Sequence, residues 1–440
     1  MKSILTIALL CLIGIGGIGF RPKLQASTPA IEQVEAFLAD RTPKAPSAPM
    51  AATPCTNGMA GVYPCHNVDL LAFMPYSQLG GGADGSDIWG WTDSTTQKEY
   101  AIINTRLGTA FVDVSDPVNP IYLGLLPQQA SASFYDSWRD VKVYANHAYI
   151  VSENRGQGLQ VFDLTQLRSV SNPPTTFSNT NHYNQIGGSH NIFINEQSGF
   201  AYIVGAVSPG TTCSGGLHML NLANPASPAF AGCFSGDGYT HDVQCVNYTG
   251  PDTDHSGKEI CFASNEDTLT IVDVSNKSAP VQLSRTGYSG SSYTHQGWLT
   301  EDRHYFLLND ETDERGFGHN THTYIWNVQD LDNPSMFATH TGPTAAIDHN
   351  LYIKGDLNYQ ANYEAGLRIL HIGDVANGNL LEVAYFDTFP NSNTNGYNGA
   401  WSVYPFFASG TIIVSSIDEG LFILRESPFN NNLYLPTVVK

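Results

Sequence analysis

Histidine and aspartate side chains recur at a near-constant interval along this 440-residue chain. Successive members are 50 to 54 residues apart, and each stands at the start of a short segment rich in β-branched or aromatic residues. The six members are Asp87, Asp140, His190, His241, His295 and His349, and the Ala400-Trp401 pair occupies the seventh position. Neutral imidazole nitrogens and carboxylate oxygens suit a divalent transition metal. If the fold brings these positions together, the sequence predicts a metal site.

The same histidines have a structural explanation. A repeated histidine at the start of a strand can hydrogen-bond neighbouring backbone and hydroxyl groups, and a buried polar group must find such partners. Thr240 and Thr294, which precede His241 and His295, would suit that role. The sequence leaves both interpretations open, together with direct acid–base catalysis.

Carboxylates follow the second predicted strand of several repeats. They are Glu153, Glu266, Asp267, Asp310, Glu311, Asp313, Glu314, Glu364 and Glu419. In the repeat fold predicted below, these turns lie on the same side as the strand starts that carry the histidines. A water-activating site needs an open coordination position and a carboxylate base within reach. Glu266 and Glu311 are therefore the candidate catalytic residues.

A second candidate ion site is local in sequence. Asp252, Asp254 and Ser256 place oxygens at alternate positions, and Gly257 stands sixth, as at the start of a calcium loop. The twelfth position is Ala263 rather than glutamate, and the segment falls where a hairpin turn belongs. A turn without an ion is the alternative to a calcium site here.

The elements that must position all these residues are short strands. A motif of the form Gly-Leu-x-apolar-apolar-Asp-apolar occurs in seven copies, 44 to 58 residues apart. The copies are Gly108–Val114, Gly158–Leu164, Gly216–Leu222, Thr268–Val274, His322–Val328, Gly366–Ile372 and Gly420–Glu426. A period near 50 with about four strands per unit is typical of propeller blades. The sequence predicts an all-β propeller of seven four-stranded blades, or six or eight if an end blade is misassigned.

The cysteines indicate an oxidising compartment. Without Cys11, which lies in an apolar N-terminal run, six cysteines remain, and an even number predicts disulfides in an exported protein. Six cysteines can pair in about fifteen ways. Because the repeat brings sequence neighbours together, it favours disulfides between cysteines that are adjacent in the sequence. The expected pairs are Cys55–Cys65, Cys213–Cys233 and Cys245–Cys261.

Composition divides the chain into four segments. Residues 1–26, with Lys2, the apolar run Ile4–Phe20 and Leu24-Gln25-Ala26, predict a signal peptide, with an uncleaved membrane anchor as the alternative. Residues 27–54, rich in Pro, Ala, Ser and Thr, predict a linker. Residues 55–427 predict the propeller and residues 428–440 a polar tail. We expect no membrane span after signal removal.

The charge restricts the partners. Twenty basic residues against forty acidic ones give a net charge of −20. This balance argues against nucleic acid as a ligand, because a phosphate backbone would be repelled. An acidic surface can accept divalent cations. The linear motifs G-x-S-x-G, H-E-x-x-H and the P-loop are absent from the sequence.

Longer stretches around the strand starts resemble a known group, the LVIVD-repeat proteins and in particular the choice-of-anchor B family. The matching stretches are Asp87–Asp93, Ser137–Val143, Gly238–Asp242, Tyr293–Asp302, Asp348–Tyr352 and Gly399–Pro405. The resemblance extends over roughly residues 55–425. It implies an extracytoplasmic propeller whose relatives are tethered by different C-terminal devices. This chain departs from that pattern because no recognisable anchor follows its last repeat.

Two functions follow from these observations. The first is an extracellular binding or scaffold propeller that presents its His/Asp face to an unknown ligand, protein or metal, the metal being a transition ion in the channel or calcium. The second is a metal-dependent hydrolase of esters, lactones or phosphoesters that uses the same face.

Overall fold

Runs of mostly apolar residues, separated by turns rich in Gly, Asn and Asp, form nearly all of the regular structure, as expected of strands. A computed structural model describes residues 48–82, 84–131, 133–206 and 212–427. Within these residues the strands assemble into seven sheets around one channel, antiparallel except where the two-residue strand Thr175–Thr176 pairs in parallel with Ile121–Pro127. The prediction of an all-β propeller with seven four-stranded blades is confirmed.

The strands are numbered in chain order. They are β1 (Met59–Ala60), β2 (Tyr63–His66), β3 (Val68–Pro75), β4 (Gly85–Thr92), β5 (Glu99–Thr105), β6 (Gly108–Asp113), β7 (Ile121–Pro127), β8 (Arg139–Tyr144), β9 (His147–Ser152), β10 (Leu159–Asp163), β11 (Thr175–Thr176), β12 (Asn181–Tyr183), β13 (Asn191–Asn195), β14 (Phe200–Val204), β15 (Leu217–Asn221) and β16 (Ala229–Phe234). The rest are β17 (Asp242–Asn247), β18 (Glu259–Ser264), β19 (Thr268–Asp273), β20 (Val281–Gly287), β21 (Thr294–Leu299), β22 (Tyr305–Asp310), β23 (His322–Asn327), β24 (Ser335–Thr341), β25 (Asn350–Lys354), β26 (Leu357–Ala361), β27 (Leu367–His371), β28 (Leu381–Phe386), β29 (Ala400–Tyr404), β30 (Thr411–Ser416) and β31 (Gly420–Glu426). A short helix, α1, spans Asp313–Phe317.

Each blade uses the two repeated segments in the same way. The innermost strands of blades 1 to 7 are β4, β8, β13, β17, β21, β25 and β29, and each recurring His/Asp position lies just before its strand or within the first three residues of it. The third strands are β6, β10, β15, β19, β23, β27 and β31, which coincide with the seven copies of the Gly-Leu motif. Each innermost strand contacts that of the next blade, and β29 contacts β4, so the ring is closed.

The ring is closed by a strand from the other end of the chain. Blade 7 takes its outermost strand, β3, from before blade 1, and β3 pairs with β31 from Val68–Glu426 to Pro75–Gly420. Met50 forms a β-bridge with Phe73 of β3, and Thr53 forms one with Leu70. The last residues of the predicted linker therefore pair with the propeller. Blade 1 also gains the two-residue strand β11, and blade 6 gains β2 and β1.

The apolar strands are buried on both faces because each blade lies between two others. In blade 4, Phe262 points toward blade 5, where its ring stacks on Phe306 at 5.5 Å. The next residue, Ala263, belongs to the opposite core with Tyr202 of blade 3. Since side chains alternate between the faces of a strand, burial of both faces requires consecutive apolar residues. This accounts for the apolar-apolar step in the Gly-Leu motif.

The three expected disulfides are all present. Cys55–Cys65, Cys213–Cys233 and Cys245–Cys261 have Cα atoms 5.9, 5.1 and 4.0 Å apart. Cys245 and Cys261 are directly opposite each other on β17 and β18.

The predicted signal peptide (1–26), most of the predicted linker (27–54) and the predicted tail (428–440) lie outside the described residues. Among the residues that are described, no helix is long and apolar enough to cross a bilayer.

Candidate metal centre

Four histidines form an arc at one mouth of the channel. His190, His241, His295 and His349 stand at the start of four consecutive innermost strands, β13, β17, β21 and β25. The ring centroids of successive histidines are 4.1, 4.1 and 4.4 Å apart. The blade repeat therefore brings together side chains that lie more than 150 residues apart in sequence.

Three of these histidines are held by one repeated hydrogen bond. Nδ1 of His241 donates to the carbonyl oxygen of His295 at 3.0 Å, and Nδ1 of His295 donates to that of His349 at 3.1 Å. His349 continues the series to the carbonyl of Trp401 at 2.6 Å. A carbonyl oxygen can only accept, so the proton is on Nδ1 and Nε2 keeps its lone pair. The structural role expected of these histidines is real, but the partners are backbone carbonyls rather than threonine hydroxyls.

His190 reaches the same tautomer through a different acceptor. Its Nδ1 donates to Oε1 of Glu153 at 2.6 Å. Glu153 follows β9 in the preceding blade, where the sequence had placed a carboxylate at this mouth. A metal-binding histidine usually donates its other ring N–H to a carbonyl or carboxylate, since this hydrogen bond fixes the ring orientation and raises the basicity of the ligand nitrogen.

Burial keeps the inner histidines neutral. It lowers the pKa of His349 to about 3. Burial, reinforced by neighbouring imidazoles, holds the pKa values of His241 and His295 well below their usual range. At neutral pH these rings therefore present lone pairs rather than protons at Nε2.

Glu311 is a carboxylate that lies near the Nε2 atoms of two arc histidines. Its Oε2 is 3.9 Å from Nε2 of His295, and its Oε1 is 4.0 Å from Nε2 of His349. The hydroxyl of Tyr363 donates to Oε1 at 2.6 Å, and burial raises the pKa of Glu311 to about 7. Candidate ligand atoms of His241, His295 and Glu311 all lie within 4.8 Å of one another. Of the two predicted catalytic glutamates, Glu311 lies at the arc.

Glu266 lies on the same side of the propeller. It bridges to Thr294, whose amide donates to the Glu266 carbonyl at 2.6 Å. Burial, followed by the charges of Glu153 and Glu266, raises the pKa of Tyr239 well above its usual range. Burial and these glutamates act in the same way on the pKa of Tyr293.

Sequence reasoning missed these tyrosines, although a signal was present. Tyr239 and Tyr293 stand two residues before His241 and His295 in a repeated Tyr-Thr-His sequence. Tyr293 packs edge-on against His241 at 5.2 Å. Because the Tyr-Thr-His sequence recurs at the same place in two consecutive blades, the tyrosines could have been predicted near the arc.

Asp87 and Asp140 are paired with Lys142 rather than with the histidines. Both carboxylates accept hydrogen bonds from the Lys142 ammonium, and Asp140 Oδ2 also accepts from the Ile192 amide at 2.7 Å. Pairing with lysine and with backbone amides leaves a buried carboxylate little capacity for a metal, and of these four oxygens only Asp87 Oδ1 lacks a hydrogen-bond partner among the described residues. Lys142 follows Asp140 by two residues on β8, so the pairing could have been read from strand periodicity.

The Asp252 segment folds as a turn. Asp252 Oδ1 accepts from the Asp254 amide at 3.3 Å and its Oδ2 from the Leu331 amide at 2.9 Å. Asp254 and Ser256 are exposed, and Thr253–His255 forms one short 3-10 turn between β17 and β18. Since both Asp252 oxygens are occupied by amides, this geometry favours the turn over the calcium loop.

These features define a class of protein: a seven-bladed β-propeller with a histidine-lined channel mouth. Residues 255–286, which contain β18, β19 and most of β20, match the LVIVD repeat family. No curated protein is significantly similar in sequence to the chain.

Solved structures share the propeller at low sequence identity. A protein from Lactobacillus plantarum superposes with a TM-score of 0.51 and 11% identity, over 75% of this chain and 89% of that one. A functionally unknown protein from Desulfotomaculum acetoxidans has a TM-score of 0.49 and 12% identity, over 75% of this chain and 94% of that one. The propeller domain of Cps50 (Swd1) from Myceliophteria thermophila has a TM-score of 0.47 and 9% identity, over 74% and 93%. The first of these supports the fold and says nothing about function.

Proposed function

We propose that this protein is an extracytoplasmic binding propeller that holds one divalent transition metal at its channel mouth. The ligands are Nε2 of His241 and His295 and the carboxylate of Glu311, with His349 and His190 beside them. The observation that carries the proposal is the hydrogen-bond series on Nδ1, which leaves several Nε2 lone pairs beside one carboxylate.

A purely structural histidine does not account for this arrangement. The Nδ1 bond alone would satisfy the backbone carbonyl, yet within the described residues no hydrogen bond uses Nε2 of His241, His295 or His349. Ligand atoms around one zinc-sized ion lie roughly 3 to 3.5 Å apart for bonds of about 2.1 Å. The distances of 3.9 and 4.0 Å to Glu311 are slightly longer, so small side-chain rotations would suffice.

Nitrogen and carboxylate donors select the class of metal. Imidazole suits zinc, copper, iron and nickel, whereas calcium and magnesium prefer oxygen alone. We therefore expect a first-row transition ion, with zinc as the simplest occupant because it has no redox requirement.

The location outside the cytoplasm is supported by the disulfides. Three bridges link all six cysteines of the propeller region, and disulfides persist in exported proteins but are rare in a reducing cytosol. The sequence resemblance to choice-of-anchor B proteins points the same way.

Metal content tests the site directly. Protein purified without chelating resin should contain about one transition-metal ion per chain by elemental analysis, and the double variant His241→Ala/His295→Ala should contain none, because two of the three ligands are gone. His304→Ala is the matched control, since His304 lies in an exposed β21–β22 turn. A metal-free parent protein, or a double variant that keeps its metal, would contradict the proposal.

A metal-dependent hydrolase is the second candidate, and the Glu311 pKa favours it. A general base works best when its pKa is close to the operating pH, and burial raises the pKa of Glu311 to about 7. In this role Glu311 accepts a proton from water, while Tyr363 holds its Oε1 in place.

The variant Glu311→Gln separates the two functions. If Glu311 is a base, the variant should keep its metal and lose hydrolysis of ester, lactone or phosphoester substrates by about 10²-fold or more. If Glu311 is a ligand, the variant should lose metal affinity. Parent protein that retains metal but hydrolyses none of these classes would remove the hydrolase candidate.

A further inference from the structure

Three carboxyl groups meet in the interior of blade 5, where it adjoins blade 6. Asp313 and Glu314 begin α1, in the turn between β22 and β23, and Asp348 lies just before β25. Their side chains are essentially inaccessible, with relative exposures of 0%, 1% and 0%. One oxygen from each lies within 4.8 Å of one from each of the others.

Asp348 is buried without a donor. Neither of its carboxylate oxygens has a hydrogen-bond partner, and the same holds for both oxygens of Glu314 and for Oδ1 of Asp313. Tyr324 donates to the remaining oxygen, Oδ2 of Asp313, at 2.7 Å. Native proteins hydrogen-bond nearly all buried polar atoms, so five unpartnered carboxylate oxygens in one place require an explanation.

Asp310, a buried acid at the end of β22, is fully hydrogen-bonded and serves as a comparison. The Asp310 carboxylate accepts from the amide of Tyr293 at 2.6 Å, from that of Ser292 at 2.9 Å and from the hydroxyl of Tyr288 at 2.6 Å. The fold therefore provides hydrogen-bond donors for the carboxylate of Asp310 and none for the carboxylate of Asp348.

The three groups also lack a basic partner. Among the described residues no lysine or arginine forms an ion pair with Asp313, Glu314 or Asp348, and Asp313 has only the imidazoles of His319 and His322, at 3.7 and 3.9 Å. Without a counterion the group must take up protons. Burial and then Asp313 raise the pKa of Glu314 to about 10, and burial and then Glu314 raise the pKa of Asp348 well above its usual range.

We propose that Asp313, Glu314 and Asp348 form a second metal site, which binds a hard divalent cation of the calcium type. Calcium takes six to eight oxygen ligands and accepts carboxylates in mono- or bidentate form. Three carboxylates offer that chemistry, and a cation among them replaces the missing hydrogen-bond donors.

The position gives the cation a structural role. A cation held by these three carboxylates would link α1 and its turn to the segment before β25, and so join blade 5 to blade 6. Glu311 and His349, which belong to the candidate metal centre, lie in these same two segments. The carboxylate site does not depend on the arc being a metal centre, since it shares no ligand with it.

Calcium-dependent stability tests the site. After chelation and dialysis, 1 mM calcium should raise the unfolding midpoint of the parent protein by about 5 °C, since a ligand that binds only the folded state stabilises it. Asp348→Asn should abolish this shift. Without calcium the Asp348→Asn variant should unfold no earlier than the parent, because burial keeps the Asp348 carboxyl protonated there and a neutral amide of nearly the same shape replaces a neutral acid. The matched control, Asp332→Asn at an exposed aspartate, should keep the shift.

Calcium binding should also be counted directly. Equilibrium dialysis should give one tightly bound calcium ion per parent chain and none for Asp348→Asn, with Glu314→Gln as the second variant if the first fails to fold. His241→Ala/His295→Ala should still bind calcium, which separates this site from the histidine arc. A parent protein that neither binds calcium nor is stabilised by it would establish shared protons in place of a cation and overturn the proposal. Calcium binding that survives both carboxylate variants would also overturn the proposal. So would a parent protein that binds zinc in preference to calcium and loses this zinc in His322→Ala.

Discussion

At the scale of single residues, similar side chains in equivalent blade positions have different roles. The recurring position holds aspartate in blades 1 and 2 and histidine in blades 3 to 6. The histidines keep one ring nitrogen free, whereas Asp87 Oδ2 and both oxygens of Asp140 accept hydrogen bonds from Lys142 or from backbone amides. The first pair therefore belongs to the scaffold and the histidines to the candidate site. The repeat predicts where a side chain lies in the propeller, whereas the side chains beside it on the same strand face determine its chemical role.

Lys142 should matter for stability rather than for metal binding. Replacing it by methionine keeps most of its volume but leaves Asp87 and Asp140 buried, with side chains 4% exposed and no cation. Removing one partner of a buried ion pair costs about 3 to 5 kcal/mol of unfolding free energy. Urea unfolding at pH 7 should show a loss of that size in Lys142→Met.

The triple variant Asp87→Asn/Asp140→Asn/Lys142→Met provides the control. It removes both charges together with the lysine, so much of the lost stability should return, and metal content should equal that of the parent. If Lys142→Met unfolds like the parent, the cluster contributes nothing to stability. If the triple variant loses its metal, the aspartates belong in the ligand set after all.

At the scale of elements, the repeat determined most of the architecture in advance. The Gly-Leu segments became the third strands because each is apolar on both faces, as a strand buried between two blades must be. The strand starts became the channel mouth because innermost strands begin there in every blade. The disulfide pairs followed from the same register, in which Cys245 and Cys261 are opposite each other.

Elements outside the repeat could not be predicted in this way. The helix α1, the added strand β11 and the segment before β25 occur once each, so no second copy reveals them. Asp348 shows the consequence. Its sequence neighbour His349 was recognised from the repeat, whereas its burial beside Asp313 and Glu314 depends on contacts between two blades. Calcium chemistry was accordingly expected at Asp252, where it is a local sequence pattern, rather than here.

At the scale of the whole molecule, one strand determines whether the ring is closed. In every other blade the four main strands follow one another closely in the chain, whereas blade 7 takes its fourth strand, β3, from more than 300 residues earlier. Pairing at this distance in sequence costs loop-closure entropy that local hairpins avoid. The β3–β31 seam should therefore be the place where the ring opens first, at a free energy below that of global unfolding.

Phe73 on β3 is the residue with which to test this seam. It is 1% exposed, and its ring lies 4.6 Å from that of Phe422 on β31. Replacing a buried phenylalanine by alanine costs about 3 to 5 kcal/mol. If the seam opens on its own, that cost falls on local opening, and amide hydrogen exchange of β3 should accelerate by about 10² to 10⁴-fold while the other blades keep more of their protection.

Phe262→Ala is the matched comparison, because Phe262 is fully buried in blade 4 and stacks on Phe306. Blade 4 consists of consecutive strands, so this variant should lower global stability without selectively exposing β3. The two variants remove the same side chain from equally buried positions, and they differ in whether the affected strand closes the ring. Equal acceleration of exchange in all seven blades for Phe73→Ala would mean that the seam does not open independently. The propeller would then unfold as one cooperative unit in spite of its repeats, because closure makes the stability of each blade depend on both neighbours.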